Sequence, residues 1–470
     1  MKRLFKGSSI FDTYNIIKPR IIIGELNEHG YEAYLVGGCV RDAILNKVPK
    51  DWDITTNATP DEVIKIFSPK YKVLEVGKKY GTVAVVIDSN QYEITTYRVD
   101  GEYSDNRKPN NVEYTSDIVE DLKRRDFTMN AIAINPNPPL KIIDPFNGID
   151  DIYNRTIRCV GNANERFEED ALRILRALRF SAKYGFDIES DTAIALTNNR
   201  YLLKNISAER INAELCKILM SDNCGNKVLR KYSSVIRQII PEIGEMIDFP
   251  QNNPHHLYDV WEHTLHCMDY EVMRKLLYSP DIIVRLAVLL HDIGKPYCYS
   301  EDENKIGHFY GHAKISAEIA EDILTRLKFS NDIKDKVVEL IINHDIQFLA
   351  TKSNIKRTLN RLGEEQLRRL LSLREFDIWG QNRTNESWQT KNLKILSMYK
   401  ILDFIIKENE CFKLKDLDIN GKDLIELGIP QGRQIGEILN ALLIMVIDGE
   451  IENKKEKLIE VAKLLIKERK

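Results

Sequence analysis

The sequence predicts a small α/β domain with a mixed sheet, followed by a long all-α body. Segments rich in β-branched and aromatic residues occur only before about residue 145, and the strand signal fades after Asp151. Beyond residue 225 almost every segment has a helical pattern. We expect four parts, which are a head over 20–150, a neck over 151–225, a helical domain over 226–395 and a C-terminal helical region over 396–470.

The individual elements follow from local signals. The helix at TPDEVIKIF has Thr59 as its N-cap and Pro60 at its first position. The amphipathic stretch 168–185 predicts one continuous helix that ends at Gly185. Strands are expected at YLVGG (34–38), TVAVVI (82–87) and YEITTY (92–97).

Composition excludes several classes of protein. The 470 residues are 43% hydrophobic and 30% charged, as in a globular protein with several domains. The longest apolar runs, such as 441–447, are too short to cross a bilayer, and the first 20 residues lack the apolar core of a signal peptide. We therefore expect a cytoplasmic protein without a membrane partner. The seven scattered cysteines form no CxxC pair, which favours buried thiols over disulfides or a zinc site.

Net charge alone does not indicate a polyanionic partner, because its value is −3. Arg and Lys nevertheless concentrate in 98–125 and 155–179, which predicts a locally basic surface. Oligomeric state is left open by the sequence.

The segment LVGGCVRD…DWDIT carries the first candidate site. Asp51 and Asp53 lie two residues apart in a β-prone stretch, so both side chains are expected on one face. Paired carboxylates hold Mg²⁺, which clamps a triphosphate and activates a hydroxyl. Gly38 allows close backbone approach to a phosphate, and Arg41 is placed to pair with it.

These residues resemble the signature of the class II nucleotidyltransferases, the family of bacterial CCA-adding enzymes and bacterial poly(A) polymerases. Four further motifs of that family follow in order at 121–134, 142–152, 165–180 and 206–215. The resemblance implies a polymerase β-like head that adds nucleotides to an RNA 3′ end without a template. It implies Mg²⁺ as cofactor and Asp51 and Asp53 as the catalytic metal ligands.

The resemblance also assigns nucleotide-binding roles. Asp170 and Arg173, three apart and so expected on one helix face, correspond to base selectors. Arg176 and Arg179 resemble residues that hold the triphosphate or the tRNA end, and Arg125 resembles a nucleotide contact. Asp126 is expected to orient Arg125. The alternative for this helix is a solvated charged face.

Two further features of the head remain open. Glu93 is a candidate third carboxylate, or else an ordinary surface residue. The polar stretch 97–114, with Arg98, Asp105 and Arg107, has the composition of a mobile loop. Family members that add only two C residues lack much of this loop, so its presence favours addition of the complete CCA or of A alone.

A second constellation lies in the helical body. Its residues are His263, His291, Asp292, His312 and His344, a ligand set suited to a divalent transition metal. They resemble the HD phosphohydrolase superfamily, in which the first His, the His-Asp pair and a final Asp bind one metal, and the resemblance assigns the role of the final Asp to Asp377. His312 and His344 are candidate ligands of a second metal, and Lys295 is a candidate for phosphate binding. His256 is expected to be an ordinary surface histidine. The alternative is a degenerate domain retained as scaffold.

The resemblances together imply a function. We expect a tRNA nucleotidyltransferase that adds CCA from CTP and ATP, with an HD hydrolase acting on a phosphoester at an RNA end. The stretch 414–463 begins with a helix–GIPQG–helix element that resembles a tRNA-binding region, although a generic helical hairpin needs no ligand. Alternatives are an A-adding enzyme, a poly(A) polymerase, an HD hydrolase with an RNA-recruiting head, and a non-enzymatic RNA-binding scaffold.

Overall fold

A computed structural model describes residues 16–101, 112–273, 281–347, 349–382 and 386–467. The chain divides into two compact units, Met1–Pro241 and Glu242–Lys470. The finer division into four parts stays a prediction. In the described part of the chain, no helix has both the length and the apolarity that a bilayer crossing requires.

The first unit combines a sheet with helices. Its strands are β1 Ala33–Val36, β2 Ile54–Thr56, β3 Lys72–Leu74, β4 Thr82–Ile87, β5 Asn90–Thr96, β6 Arg98–Asp100, β7 Val112–Tyr114, β8 Ala133–Asn135, β9 Lys141–Ile143, β10 Thr156–Ile157 and β11 Asp187–Ile188. Its helices are α1 Ile17–Glu28, α2 Gly38–Ile44, α3 Pro60–Phe67, α4 Ile118–Lys123, α5 Gly148–Tyr153, α6 Ala163–Glu169, α7 Leu172–Tyr184, α8 Ser190–Asn198, α9 Ala208–Leu219 and α10 Ser233–Ile239.

The predicted mixed sheet is confirmed. It has seven strands in the order β3-β4-β5-β2-β1-β8-β9. Strand β2 runs parallel to β5, with Ile54 opposite Ile94, whereas β1 is antiparallel to both β2 and β8. All four residues of β1 are buried, so this central strand positions the turn that follows it.

The start of α3 agrees with the sequence prediction. The Thr59 hydroxyl accepts a hydrogen bond from the Glu62 backbone N–H, and the Glu62 carboxylate accepts one from the Thr59 N–H at 2.7 Å. Pro60 occupies the first turn. This reciprocal capping fixes where the helix begins.

The prediction of one continuous helix over 168–185 is wrong. Helix α6 ends at Glu169, Asp170 is extended with φ −137°, and α7 begins at Leu172. The Asp170 carboxylate accepts a hydrogen bond from the Leu172 N–H at 3.1 Å. An Asp side chain that bonds nearby backbone competes with helix continuation, which explains the break. The predicted end at Gly185 is confirmed, with φ 69°.

The second unit is helical apart from one small hairpin. It contains α11 Val260–Met273, α12 Ile282–Leu290, β12 Ser300–Glu301, β13 Gly307–His308, α13 His312–Arg326, α14 Asn331–Asn343, α15 Lys352–Leu362, α16 Glu364–Gly380, α17 Glu386–Lys407, α18 Gly421–Glu426, α19 Arg433–Asp448 and α20 Lys455–Lys467. The predicted helical body is confirmed. The sequence indicated neither the hairpin β12–β13 nor the pair β10–β11, which lies within the predicted neck of 151–225.

The C-terminal helices have a core of their own. Buried residues of α18, α19 and α20, including Leu424, Leu442 and Leu458, form one hydrophobic cluster. The turn between α18 and α19 contains Gly428 at φ 90° and Gly432 at φ 155°. The expected helix–turn–helix element is therefore present, and its tRNA-binding role stays a prediction.

Candidate functional site

A glycine turn carries the chain from β1 into α2. Gly37 has φ 77°, a conformation that favours glycine. A Cβ built at Gly37 would lie 3.4 Å from Arg125 Nη1 and 3.8 Å from Asp53 Oδ2. The turn, Asp53 and Arg125 therefore meet at the end of β1, as the nucleotidyltransferase motif predicts.

The two predicted carboxylates lie just before β2, Asp53 one residue and Asp51 three residues ahead of Ile54. The Asp53 carbonyl accepts a hydrogen bond from the Val36 N–H at 3.1 Å, which anchors Asp53 to β1. Because Ile54 pairs with Ile94, Glu93 lies next to Asp53 on the parallel strand.

This arrangement concentrates negative charge. Burial, the Glu93 carboxylate and Asp51 together raise the pKa of Asp53, and Arg125 opposes them. Three carboxylates with too little compensating charge are the oxygen donors that Mg²⁺ prefers. The acids around Asp53 have the donor chemistry that a divalent cation takes, and the Mg²⁺ site at Asp51 and Asp53, with Glu93 as a third candidate, stays a prediction.

A buried acid that the sequence analysis missed orients the basic pair after α4. Asp121 bonds Arg124 Nη2 at 2.7 Å and Arg125 Nη2 at 3.2 Å. Burial would raise the pKa of Asp121, but Arg125 and Arg124 lower it overall. The spacing i, i+3, i+4 in DLKRR was the available signal. Asp121, and not Asp126, is therefore the partner of Arg125.

Arg41 is buried beside the turn. Its guanidinium donates to Asp42 Oδ1 at 2.9 and 3.0 Å and to Asn130 Oδ1 at 2.6 Å. It also stacks over the rings of Phe180 and Tyr184, with centroid distances of 5.1 and 4.9 Å. A Cβ at Gly38 would lie 3.5 Å from Arg41 Nη2. The predicted phosphate residue is thus fixed in position by α2 and α7.

Asp126 connects the head motif to α7. Its carboxylate accepts hydrogen bonds from Arg176 Nε at 2.9 Å and from Arg176 Nη2 at 2.6 Å. The expectation that Asp126 orients Arg125 is wrong, because Asp126 points to α7 and binds Arg176. Asn130 Nδ2 also donates to Asp126 at 2.9 Å, which joins this pair to Arg41.

The two predicted base selectors have different partners. Asp170 accepts a hydrogen bond from Arg210 of α9 at 3.1 Å. Arg173 donates to Glu169 Oε2 at 2.5 Å and to the Arg124 carbonyl at 3.0 Å. They do not share one helix face, because the chain is extended at Asp170. Because α6 and α7 are separate helices, the Asp170 acceptor at the end of α6 and the Arg173 donor in α7 are oriented independently of each other.

Cations gather on α2 and α7. Arg179 lies with its guanidinium 4.4 Å from the Phe180 ring centroid and donates to Glu214 at 3.2 Å. Burial and the charge of Arg176 lower the pKa of Arg179. Burial also lowers the pKa of Lys183, as do the charges of Arg41, Arg179 and Lys47, while Asp42 opposes this. Mutually repelling cations form a binding site for an anion such as a triphosphate. The sequence analysis missed Lys47 and Lys183.

The loop candidates are only partly described. Arg98 lies in β6, which pairs with β7, and its guanidinium donates to the Tyr80 carbonyl. Asp105 and Arg107 lie outside the described residues.

The second unit brings all six predicted HD residues together. They come from five helices or helix ends, namely His263 in α11, His291 and Asp292 after α12, His312 at the start of α13, His344 after α14 and Asp377 in α16. Four of them, Asp292, His312, His344 and Asp377, line a cavity of about 270 Å³. Ligand atoms fall into two groups of metal-site dimensions, one with His263, His291 and Asp377 and one with Asp292, His312 and His344.

Asp292 lies between the two groups. Its Oδ2 is 3.2 Å from His291 Nε2 and 3.4 Å from His263 Nε2. Its Oδ1 is 3.5 Å from His312 Nε2, which in turn is 3.2 Å from His344 Nε2. A carboxylate whose two oxygens face two sets of imidazoles is suited to bridging a pair of cations.

Backbone carbonyls orient three of the imidazoles. Nδ1 of His291, His312 and His344 lies 2.8, 2.9 and 2.6 Å from the carbonyl oxygens three residues earlier. A proton on Nδ1 leaves Nε2 as the electron-pair donor that faces the centre. Within the buried part of the described chain, His291 Nε2 has no hydrogen-bond partner of good geometry. Donor chemistry, orientation and this orphaned atom fit a metal.

The electrostatics of the centre are strongly coupled. Burial alone would lower the pKa of His291, but Asp292 and Asp377 raise it to about 10. Burial and the charge of His291 lower the pKa of His344 to about 3. Without metal, a protonated His291 supplies the positive charge that the carboxylates require.

Two neighbours differ from the sequence expectation. Lys295, predicted to bind phosphate, donates to Asp292 Oδ2 at 2.7 Å and to Gln251 at 2.8 Å. His256, predicted to be an ordinary surface residue, lines the cavity and packs edge-on to His263 with 5.0 Å between ring centroids. Burial and Lys295 lower the pKa of His256 to about 2.

Cys267 was missed as part of this centre. All seven cysteines are free and five are buried, as expected. The Cys267 thiol, however, lies one helical turn after His263 with Sγ 3.6 Å from His263 Nε2, and it belongs to the first ligand group. A lone cysteine in a helix gives no sequence signal for such a position.

Three known domain families match the chain. The poly A polymerase head domain matches residues 33–158, and the probable RNA and SrmB-binding site of polymerase A matches residues 185–246. The putative tRNA nucleotidyltransferase domain 2 matches residues 299–462.

Relatives resemble the chain over almost its whole length. The CCA-adding enzyme of Enterococcus faecalis is 32% identical over 94% of this chain and 94% of its own. The crystal structure of the Bacillus stearothermophilus CCA-adding enzyme in complex with CTP has 30% identity and a TM-score of 0.70, covering 97% of this chain and 99% of that one. The Thermotoga maritima CCA-adding enzyme complexed with tRNA shares the fold, with 23% identity, a TM-score of 0.65 and coverage of 97% and 98%. Shared identity over the full length, together with the carboxylate site at the end of β1, shows that this chain belongs to the family of CCA-adding enzymes.

Proposed function

We propose that the chain adds C, C and A in turn to the 3′ end of tRNA, with CTP and ATP as substrates. The observation that carries this proposal is the meeting of Asp53 and Arg125 at the glycine turn after β1, with the charge of Asp51 acting on Asp53. Membership of the CCA-adding family and the match to the CTP complex support it.

The chemistry is nucleotidyl transfer. The tRNA 3′-hydroxyl oxygen bonds to the α-phosphorus, the bond from that phosphorus to the α–β bridging oxygen breaks, and pyrophosphate leaves with the displaced electron pair. The hydroxyl proton passes to solvent water. Asp51 and Asp53 would hold divalent cations, which supply charge stabilisation to the triphosphate. The cations of α2 and α7, including Arg41, Arg179 and Lys183, would bind its oxygens. Positioning and electrostatics account for the rate, as in other phosphoryl transfers.

Base selection is assigned to Asp170 and Arg173. Arg173 is oriented by Glu169 and the Arg124 carbonyl, and a guanidinium has five donors in a fixed plane. Asp170 is oriented by Arg210. An oriented donor and acceptor can pair with the hydrogen-bonding edges of cytosine and adenine without a template.

The test uses a tRNA transcript that ends at the discriminator base. With Mg²⁺, we expect growth by two residues with CTP and by three with CTP and ATP together. Asp53→Ala and Asp51→Ala should abolish growth while circular dichroism stays unchanged. Extension only of a tRNA that already ends in CC, with ATP alone, would identify an A-adding enzyme. Long A-tails on unrelated RNA would favour a poly(A) polymerase.

We also propose that the second unit hydrolyses phosphoesters with metal ions at the His/Asp centre. The bridging position of Asp292 between two imidazole groups carries this second proposal. His263, His291, Asp292 and Asp377 would hold the first metal, and His312 and His344, with Asp292, the second. Bound metal would supply an activated water; its oxygen bonds to phosphorus, one P–O ester bond breaks, and the leaving oxygen takes up a proton.

Hydrolysis is tested separately from nucleotide addition. The full chain is incubated with a 2′,3′-cyclic mononucleotide and with Mn²⁺, Co²⁺ or Ni²⁺. We expect turnover that His291→Ala and Asp292→Asn abolish and that Asp53→Ala leaves intact. Metal-independent turnover, or none with any of the three ions, would favour a degenerate centre retained as scaffold.

A further inference from the structure

A second cavity adjoins the His/Asp centre. Its volume is about 160 Å³, and it shares His344, Asp345, Asp377 and Gln381 with the larger cavity. One water needs only about 10–15 Å³ of such space, so the second cavity has room for a phosphate group with solvent. Asp377 borders both cavities, so a ligand in the second one lies beside the metal ligands.

The part of the second cavity that the larger cavity does not share is lined by three cations. Arg374 of α16 and Lys391 and Lys394 of α17 line the second cavity, and all three side chains are partly buried. We call this set the α16–α17 cation cluster. Lys391 Nζ donates to Gln381 Oε1 at 2.8 Å, and Arg374 Nη1 donates to the Ile346 carbonyl at 2.9 Å, so both cations are held in place.

The acids nearest to this cluster are those of the centre. Asp377 and Asp345 are the carboxylates whose charges act on both Lys391 and Arg374. Once Asp377 is engaged by His263, at 3.0 Å, or by a metal, its charge is compensated from the other side. The cation cluster then has an excess of positive charge, which a phosphate oxyanion would neutralise.

The larger cavity offers a different surface. His308 and Tyr310 line it, with their rings stacked at 5.3 Å and 9° between planes, and Tyr310 is 78% exposed. Exposed aromatic faces stack the bases of single-stranded nucleic acid. An aromatic surface, a metal-type centre and a cation cluster therefore adjoin one another within a single unit.

We propose that the α16–α17 cation cluster binds a backbone phosphate of an RNA strand whose phosphorylated 3′ end lies at the His/Asp centre. The preferred substrate class is thus an RNA end with at least one internucleotide phosphate, which the enzyme hydrolyses in preference to a free cyclic mononucleotide. This inference rests on the proposed hydrolase activity and adds to it the subsite that selects the polymer.

The kinetic test compares three substrates of the full metal-loaded chain. They are a 2′,3′-cyclic mononucleotide, a trinucleotide that ends in the same cyclic phosphate, and that trinucleotide with a neutral methylphosphonate at its last internucleotide linkage. We expect kcat/KM for the trinucleotide to exceed that for the mononucleotide by about tenfold or more, mainly through KM, since one or two charge-assisted contacts are gained. The methylphosphonate should lose this advantage.

Two variants and a binding measurement locate the effect. Lys391→Gln/Lys394→Gln should remove the advantage of the trinucleotide over the mononucleotide. Lys400→Gln, an exposed residue of the same helix outside both cavities, is the matched control. Fluorescence anisotropy with a labelled trinucleotide 3′-phosphate should show about tenfold weaker binding to the double variant than to Lys400→Gln.

The outcomes separate the two proposals. Equal kcat/KM for mononucleotide and trinucleotide, or equal binding by the double variant and the control, would overturn the subsite and leave the hydrolase in place. Failure to hydrolyse any of the substrates would overturn the hydrolase, and the anisotropy result would then decide the subsite alone.

Discussion

Asp126 and Arg176 form a two-point ion pair that ties the end of α4 to the middle of α7, with N–O distances of 2.6 and 2.9 Å. Asp126 is buried, while the Arg176 side chain retains 33% exposure. Burial would raise the pKa of Asp126, but Arg176 and Asn130 lower it to about 2. The pair therefore stabilises the folded state only while Asp126 is ionised.

Asp126→Asn is expected to lower stability at pH 7 by about 2 kcal/mol, the equivalent of the depressed pKa. Since the folded pKa lies below the unfolded one, the contribution is present above about pH 4 and is lost as pH falls through 2. Thermal melts of wild type and variant at pH 7, 5 and 3 measure this. The control is Asp61→Asn, whose carboxylate is 82% exposed and pairs with Lys78, and which should cost little at any pH. A difference between wild type and Asp126→Asn that disappears already at pH 5 would contradict the assignment.

Asp53→Asn is expected to have opposite effects on stability and activity. Burial and the neighbouring acids raise the pKa of Asp53, so its ionised form costs stability as pH rises through the folded pKa. Without divalent metal at neutral pH, the variant should melt about 1–3 °C higher than wild type while nucleotide addition is lost. Mg²⁺ should raise the melting temperature of wild type more than that of the variant.

Asp51→Asn is the matched comparison, because Asp51 is exposed. It should remove nucleotide addition with less change in metal-free stability. A lower melting temperature for Asp53→Asn without metal would show that Asp53 serves the fold more than the cation site.

The carboxylate and His/Asp sites were accessible to sequence reasoning because their residue types are unusual and their motifs retain order along the chain. The helix break at Asp170 could not be predicted from the sequence, because helical periodicity in the flanking residues outweighed the capping preference of one Asp. Cys267 and the α16–α17 cation cluster were inaccessible for a different reason. Their roles depend on how separate helices pack, and a single cysteine or three ordinary cations carry no pattern.

Metal binding at the His/Asp centre is expected to release about one proton per protein molecule at pH 7. His291, with a pKa of about 10, is protonated in the metal-free centre and must lose a proton to donate Nε2 to a metal. His344, with a pKa of about 3, is already neutral and contributes none. The same pKa implies that His291 stabilises the metal-free fold below pH 6.5 and that this contribution is lost as pH rises through 10.

Calorimetric titration with Mn²⁺ in buffers of different ionisation enthalpy gives the proton count. His291→Gln should abolish the release, whereas His344→Ala should weaken binding of the second ion and leave the number of protons released per protein molecule unchanged. Metal binding by wild type without proton release would mean that His291 is neutral before the ion arrives.

Gly380 is expected to be essential for the geometry of His263. It is the last residue of α16, and a Cβ there would lie 2.5 Å from Cys267 Sγ and 2.7 Å from His263 Nδ1. Because such contacts force a buried side chain to move, Gly380→Ala should cost about 1–3 kcal/mol and weaken Mn²⁺ binding by displacing the imidazole.

Gly436 lies inside α19 with nothing near its hypothetical Cβ, so Gly436→Ala should stabilise by about 0.5–1 kcal/mol and leave metal affinity unchanged. Thermal melts and Mn²⁺ titrations of both variants measure the contrast, and nucleotide addition should survive in both. Wild-type metal affinity in Gly380→Ala would show that His263 does not need the space that this glycine leaves.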